Sequence, residues 1–449
     1  MPSNDLSEVA EAALRAAKKA GADAADALVI EGTSISVDVR AGALEKAERA
    51  EGIDVGLRVL VGRRQACISA SDRSVKTLSE IAERAVAMAR EAPEDPYVGL
   101  AETSDLSPVR SATDLELADD GPEPEPGHLE AVARTAEDAA LGHGSISQVE
   151  LASAGYGKWN MHLAATNGFS GGYRRTSQSR SCIAIIGSGT GMDKDYDFDS
   201  RIFGGDLRSA EDIGNKAAER ALARAGARKP PTGAFPVVYD ERIAAGLLGH
   251  LLQAASGTSV ARGASWLRDS MNTSVMPKGM EVTEEPHRPR VGGSRPFDAE
   301  GLRTGRRDIV KDGVLLGWTL DLSTARQLGL SPTANAARGT ASPPAPSLSN
   351  ITMTQGDGSR ADLLADMGTG LLITSLIGAS INPTTGDYSR GASGFWVEGG
   401  EIQYPVNECT IGGNLLEMMG RLTPANDARA HLSRVVPSLL VEGLTIGGE

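Results

Sequence analysis

PVVYDERIAAGLLGHLLQAASGTSVARGA, residues 236–264, follows the proline pair Pro230-Pro231 that divides the chain into comparable halves, and it reads as a strand running into a helix. Asp240 stands where a helix N-cap is needed, its short carboxylate able to accept the first free backbone N–H groups. Leu247, Leu248, Leu251 and Leu252 recur at one-, three- and four-residue steps, which puts them on one side of a helix built to be buried. Upstream of this stretch, Ser7 to Ala20 is an alanine-rich helix stopped by Gly21, and Ile35, Val37, Val39 and then Val55, Leu57, Val59 and Val61 alternate as half-buried strands do. Gly62-Arg63-Arg64 is a turn, residues 65–70 return as a strand, and a helix opens at Asp72 in which Val75, Leu78, Ile81, Ala82, Ala85, Met88 and Ala89 follow the helical period.

That order predicts an α+β chain. Residues 1–228 are expected to form an N-terminal domain with a mixed or antiparallel sheet and covering helices, and 233–449 a mostly antiparallel β domain with a few helices. Within the first half, residues 93–127 are rich in proline and acid and read as a solvated linker. After it come a helix over 128–140, strands over 149–156, 158–166, 173–186 and 196–203, and a helix over 209–225. In the second half, 258–262 leads toward a strand, RRDIVKDGVLLGWTLD is a hairpin turning at Lys311-Asp312-Gly313, and 331–350 is a long irregular loop, either a functional cover or a connector.

The chain has 449 residues, 53 of them glycine, with 4% aromatic residues and a formal charge of -14. The acidic balance argues against a grip on phosphate backbones, so no nucleic-acid partner is expected. Cys67, Cys182 and Cys409 lie far apart without CxxC spacing, which fits a reduced compartment. With no apolar run long enough for a signal peptide or a membrane span, a cytoplasmic location and no membrane contact are expected.

Motifs for chemistry are sparse. GFSGG, 168–172, matches a nucleophile-elbow pattern but is followed by alternating strand, so it reads as a hairpin turn. GSGTG, 187–191, lacks dinucleotide spacing and precedes no helix. None of the six histidines is followed by glutamate, so a helical zincin signature is absent; a catalytic zinc needs three protein ligands and a carboxylate to take a proton from its water. His250 then reads as a packed helix histidine bonded to a neighbour. A set made of His250, His431 and Cys409 would be another metal arrangement, without recognisable spacing.

The C-terminal run GDYSRGASGFWVEGGEIQYPV (386–406) and CTIGGNL (409–415) resembles the signature of the TldD/PmbA family of cytosolic zinc peptidase assemblies, and AGLLGH (245–250) resembles the family's metal-site helix. In catalytic members that helix carries histidine, glutamate, three residues and a second histidine. Aligned on the shared Gly-His, the first two fall on Ala245 and Gly246, and only His250 remains. The resemblance is therefore to the PmbA (TldE) branch, the subunit lacking the HExxxH motif. It implies no catalytic residue and no metal in this chain, whose C-terminal region also lacks the cysteine that is the third ligand elsewhere. It further implies zinc in a TldD-like catalytic partner and a chamber shaped for extended or unfolded peptides. The alternative is a non-enzymatic, chaperone-like homodimer that binds peptides. Asp387, Tyr388, Ser389 and Arg390 gather polar groups beside glycines, either as an Asp387–Arg390 bonded turn under a hairpin or as a peptide or partner contact.

Overall fold

The computed structural model describes residues 5–448. Helix α1 (Leu6–Ala20) is capped by Asp5, which accepts from Ser7 N at 3.0 Å, and ends at Gly21, whose φ of 99° is left-handed and suits a residue without Cβ. Three antiparallel strands follow, β1 (Ala24–Arg40), β2 (Ala43–Val61) and β3 (Arg64–Ala70), then helix α2 (Val75–Glu91). The alanine faces of α1 and α2 lie on Ala25, Ala27, Val29, Val55, Leu57 and Val59. Helix α3 (Pro126–Leu141), strands β4 (Ile146–Ala165), β5 (Ser170–Ile186) and β6 (Asp193–Arg201), and helix α4 (Ala210–Leu222) repeat the arrangement. Because β4 pairs with β1, the strands make one antiparallel six-stranded sheet in the order β3-β2-β1-β4-β5-β6. Small residues let α3 and α4 touch closely: a Cβ on Gly214 would sit 2.1 Å from the Ala136 carbonyl oxygen.

The second half opens with β7 (Gly233–Tyr239), α5 (Glu241–Ala254) and the short α6 (Gly257–Ala261). Next come β8 (Val282–Glu284), β9 (Arg307–Lys311), β10 (Val314–Leu315), α7 (Leu322–Leu328), β11 (Ala336–Ala337), β12 (Ala345–Pro346) and β13 (Ile351–Met353). The chain ends with α8 (Arg360–Met367), β14 (Gly370–Ile381), β15 (Asp387–Glu398), β16 (Glu401–Asn414), α9 (Leu415–Met419), β17 (Leu422–Pro424), β18 (Arg434–Val435) and β19 (Leu439–Gly447). β7 runs parallel to β14 and antiparallel to β19, and β16 pairs with β19 through Thr410–Gly412. That last pairing closes β7, β14, β15, β16 and β19 into a barrel, which removes sheet edges. A smaller sheet, β10-β9-β8-β13-β18, lies alongside. One face of the barrel strands, with Val237, Tyr239, Leu371, Ile373 and Trp396, joins the leucines of α5 in the main core; Val238, Leu372, Val397 and Leu440 pack on α8 instead. The class is α+β.

Three local expectations are corrected. Residues 258–262 are helical, not strand: α6 follows Ser256, and its Gly257 is pressed against Leu320 and Thr324 near and on α7, so packing overrides the β-branched Thr258 and Val260. Residues 93–127 are not a solvated linker throughout. Ala101 is buried with Leu302 and Leu322, Leu115 and Leu117 with Ile202, and Ser107 N donates to Gly301 O at 2.8 Å. The acidic run is a strap whose few apolar residues are enough to tie it down. The loop over 331–350 is partly ordered by the β11–β12 pair, and Arg338 at its tip reaches the N-terminal sheet.

Candidate functional site

Helix α5 starts where β7 leaves the barrel. Asp240 caps it, accepting from Arg242 N at 3.1 Å, and Arg242 in turn bridges Asp240 at 3.2 Å and Asp195 of β6 at 3.0 Å. One side of the helix buries Ala244, Leu247, Leu248, Leu251 and Leu252. The opposite side carries exposed Gly246 and half-buried His250, while half-buried Ala245 packs at the edge of the leucine face; a Cβ on Gly246 would meet nothing within 4 Å.

The imidazole of His250 packs edge-on against Tyr388, ring centroids 5.7 Å apart, and Tyr388 OH lies 3.5 Å from Tyr239 OH. Among the described residues the ring nitrogens have no hydrogen-bond partner, so the neighbour bond expected for His250 is replaced by an aromatic contact. Burial, and then the positive Arg390, hold the His250 pKa below its ordinary value and keep the ring neutral at pH 7. Burial raises both tyrosines, Tyr239 strongly, so both remain phenols. A cavity of about 250 Å³ opens beside His250, with Thr258, Arg262, Trp266, Ile381 and Pro383 in its wall.

The four polar residues 387–390 form no bonded turn. They begin strand β15, and their alternation splits them. Tyr388 is buried and Arg390 half-buried, and Arg390 Nε donates to Gly378 O of the neighbouring strand β14 at 2.6 Å. Asp387 and Ser389 are exposed; Asp387 accepts from Thr385 Oγ1 at 2.6 Å rather than from Arg390. His431 lies 3.8 Å from Asp199, and the Cys409 thiol donates to Ala392 O at 3.1 Å, so neither accompanies His250. Among the described residues no group of three or more His, Cys, Asp or Glu is placed to hold a metal ion. Ala245 and Gly246 have no donor atom, so the residues present do not fit a catalytic zinc, and no step is derived through one.

A second, larger cavity, about 750 Å³, lies where the N-terminal sheet meets the second half, and it shares Thr258 and Arg262 with the first. At its floor Asp26 of β1 accepts Arg58 Nε of β2 at 2.6 Å through one oxygen and binds Arg338 through the other, while Arg338 Nη2 donates to Gly56 O at 3.2 Å. All three side chains are almost fully buried. Sequence reading missed this cluster, since its members are far apart in the chain and none sits in a motif.

The fold and the site define an α+β scaffold in which Ala245 and Gly246 offer no metal donor and His250 stands without other ligands among the described residues. The chain belongs to the PmbA/TldD metallopeptidase family, matching the family's domain 1 over residues 25–89, its central domain over 119–225 and its C-terminal domain over 232–448. Within it the chain falls in the PmbA/TldE branch: it is 35% identical to the Metalloprotease PmbA of Escherichia coli O157:H7 over 95% of this chain and 93% of that protein. A crystal structure from Bacteroides thetaiotaomicron, described as a candidate modulator of DNA gyrase, superposes with a TM-score of 0.92 at 29% identity, covering all of both chains. TldE from Thermococcus kodakarensis shares the fold, with a TM-score of 0.82 at 19% identity over 98% of this chain and 99% of that one. No described helix is long and apolar enough to cross a membrane.

Proposed function

We propose that this chain is the non-catalytic subunit of a peptidase assembly, shaping a chamber for extended peptides while a TldD-like partner supplies zinc and performs hydrolysis. The observation that carries the reading is the open face of α5. Where the catalytic pattern needs an imidazole and a carboxylate, Ala245 is packed partly against the core and Gly246 faces open space, neither offers a donor, and only a neutral His250 remains. The two cavities have Thr258 and Arg262 in both their walls, and strand-like capture by backbone hydrogen bonds there would be indifferent to side chains. In this reading Tyr388 and Arg390 line the chamber side of β15, and exposed Asp387 and Ser389 are available to the partner.

The test is to purify the chain alone and together with a partner bearing an intact HExxxH helix, then measure zinc content and cleavage of an unfolded protein. Activity and metal are expected only with the partner. Stoichiometric zinc and hydrolysis by the isolated chain would overturn the proposal.

A further inference from the structure

We propose that the larger cavity, under the loop of residues 336–346, is a subsite for a primary ammonium group of a bound peptide, with Glu300 and Asp321 as its acceptors. The inference rests on the peptide-chamber reading and adds a charge preference to it.

Glu300 is 8% exposed, and what remains open faces the cavity. One of its oxygens accepts Leu322 N at 2.9 Å, and among the described residues it has no cationic partner. Asp321, also in the cavity wall, turns one oxygen to Thr324 N at 2.8 Å; its other oxygen is bonded to nothing among the described residues. Asp298 lies behind them, held only by the backbone N–H groups of Glu300, Leu302 and Ala336. Buried carboxylates are ordinarily paired with a cation; among the described residues none lies within ion-pair distance of these, and Arg58 acts on Glu300, and Arg295 on Asp298, only through space.

The nearby guanidinium groups do not fill that role. Arg58 and Arg338 both grip Asp26, and Arg338 Nε is buried without a partner of its own, so the pair is held in place rather than free to swing toward Glu300. Arg262, exposed in the walls of both cavities, makes no ion pair among the described residues and is screened by water. Burial, with Asp298 and Asp321 adding to it, raises the Glu300 carboxyl to about 8. An entering ammonium would reverse that, since a cation within a few ångströms favours the carboxylate. Around the acids, Tyr97, Val98, Pro343 and Pro344 offer an apolar wall suited to a lysine's methylene chain. The ammonium could come from a lysine side chain or from a peptide's α-amino terminus; the chemistry recognised is the same.

The experiment uses the full chain and fluorescein-labelled, unstructured glycine-serine-alanine peptides of about twelve residues, read by anisotropy. One peptide carries a single lysine with both termini blocked, one has norleucine in its place, and one has no lysine but a free amino terminus. The lysine peptide, the free-amine peptide or both are expected to bind about tenfold more tightly than the norleucine peptide, as loss of a charge-assisted bond implies. Glu300→Gln, which keeps an acceptor for Leu322 N, should abolish that difference. Gln327→Trp, on the exposed rim, should weaken the amine-bearing peptides without touching the acids. Equal binding of all three peptides would overturn the inference and leave the chamber reading standing, as would a preference that survives Glu300→Gln. Failure of every peptide to bind would sink both.

Discussion

Replacing Asp26 with alanine tests whether the two halves are held together through a buried charge cluster. Asp26 is 3% exposed and is bonded by Arg58 and Arg338 through separate oxygens. Removing it strands two guanidinium groups in a space water hardly reaches. Removing one partner of a buried ion pair costs about 3–5 kcal/mol, chiefly because the other charge is left uncompensated. Unfolding entropy of about 2 cal/mol/K per residue makes 1 kcal/mol worth about 2 °C for a unit of some 230 residues, so a fall of about 6–10 °C is expected. Differential scanning calorimetry is the assay, and the low-temperature transition should involve the N-terminal sheet. Substituting Arg58→Met and Arg338→Met together with Asp26→Leu should recover most of the loss, because an apolar cluster of similar volume carries no desolvation cost. An Asp26→Ala protein that melts within about 1 °C of the parent would refute the argument.

Gly246 lies in the interior of α5 with open space around its missing Cβ, so Gly246→Ala should stabilise the protein by about 0.5–1 kcal/mol, measured by denaturant titration. Gly214→Ala is expected to do the opposite, since its Cβ would collide with the Ala136 carbonyl and force α3 and α4 apart; a loss of about 2 kcal/mol or more should appear in the same titration. The Glu300 carboxyl is raised from 4.5 to about 8, so its folded form holds a proton that the unfolded form gives up. Its contribution is fully present below pH 4.5 and is lost as pH rises toward 8, and Glu300→Gln should flatten the decline in melting temperature across that window.

Secondary structure was most legible where one periodicity held over many residues. The leucines of α5, the alternating valines of β1 and β2, and the turn at Lys311-Asp312-Gly313 between β9 and β10 each have a local cause, and local causes can be read from a linear chain. The strap over 93–127 was misread because a composition rich in proline and acid says nothing about where Ala101, Leu115 and Leu117 find partners; those partners, Leu302, Leu322 and Ile202, lie far along the chain, the first two more than two hundred residues from Ala101. The same limit explains the site. The blank positions on α5 were visible because alanine and glycine cannot bind metal in any fold. The residues 387–390 were singled out as a unit, but strand alternation sends Tyr388 and Arg390 one way and Asp387 and Ser389 the other. Asp26, Arg58, Glu300 and Arg338 had no signal in one dimension, being single charged residues brought together by the β1–β2 pairing and by loops of the second half.

Arg338 belongs by chain to the second half and by bonding to the first, and this sets a rule for recombining relatives. A chimera joined at the proline pair near residue 230 would match each half to its own core, yet position 338 would face positions 26 and 58 from another parent. Grafts that carry all three residues from one source should assemble, and grafts that mix them should yield two folded halves that dock poorly.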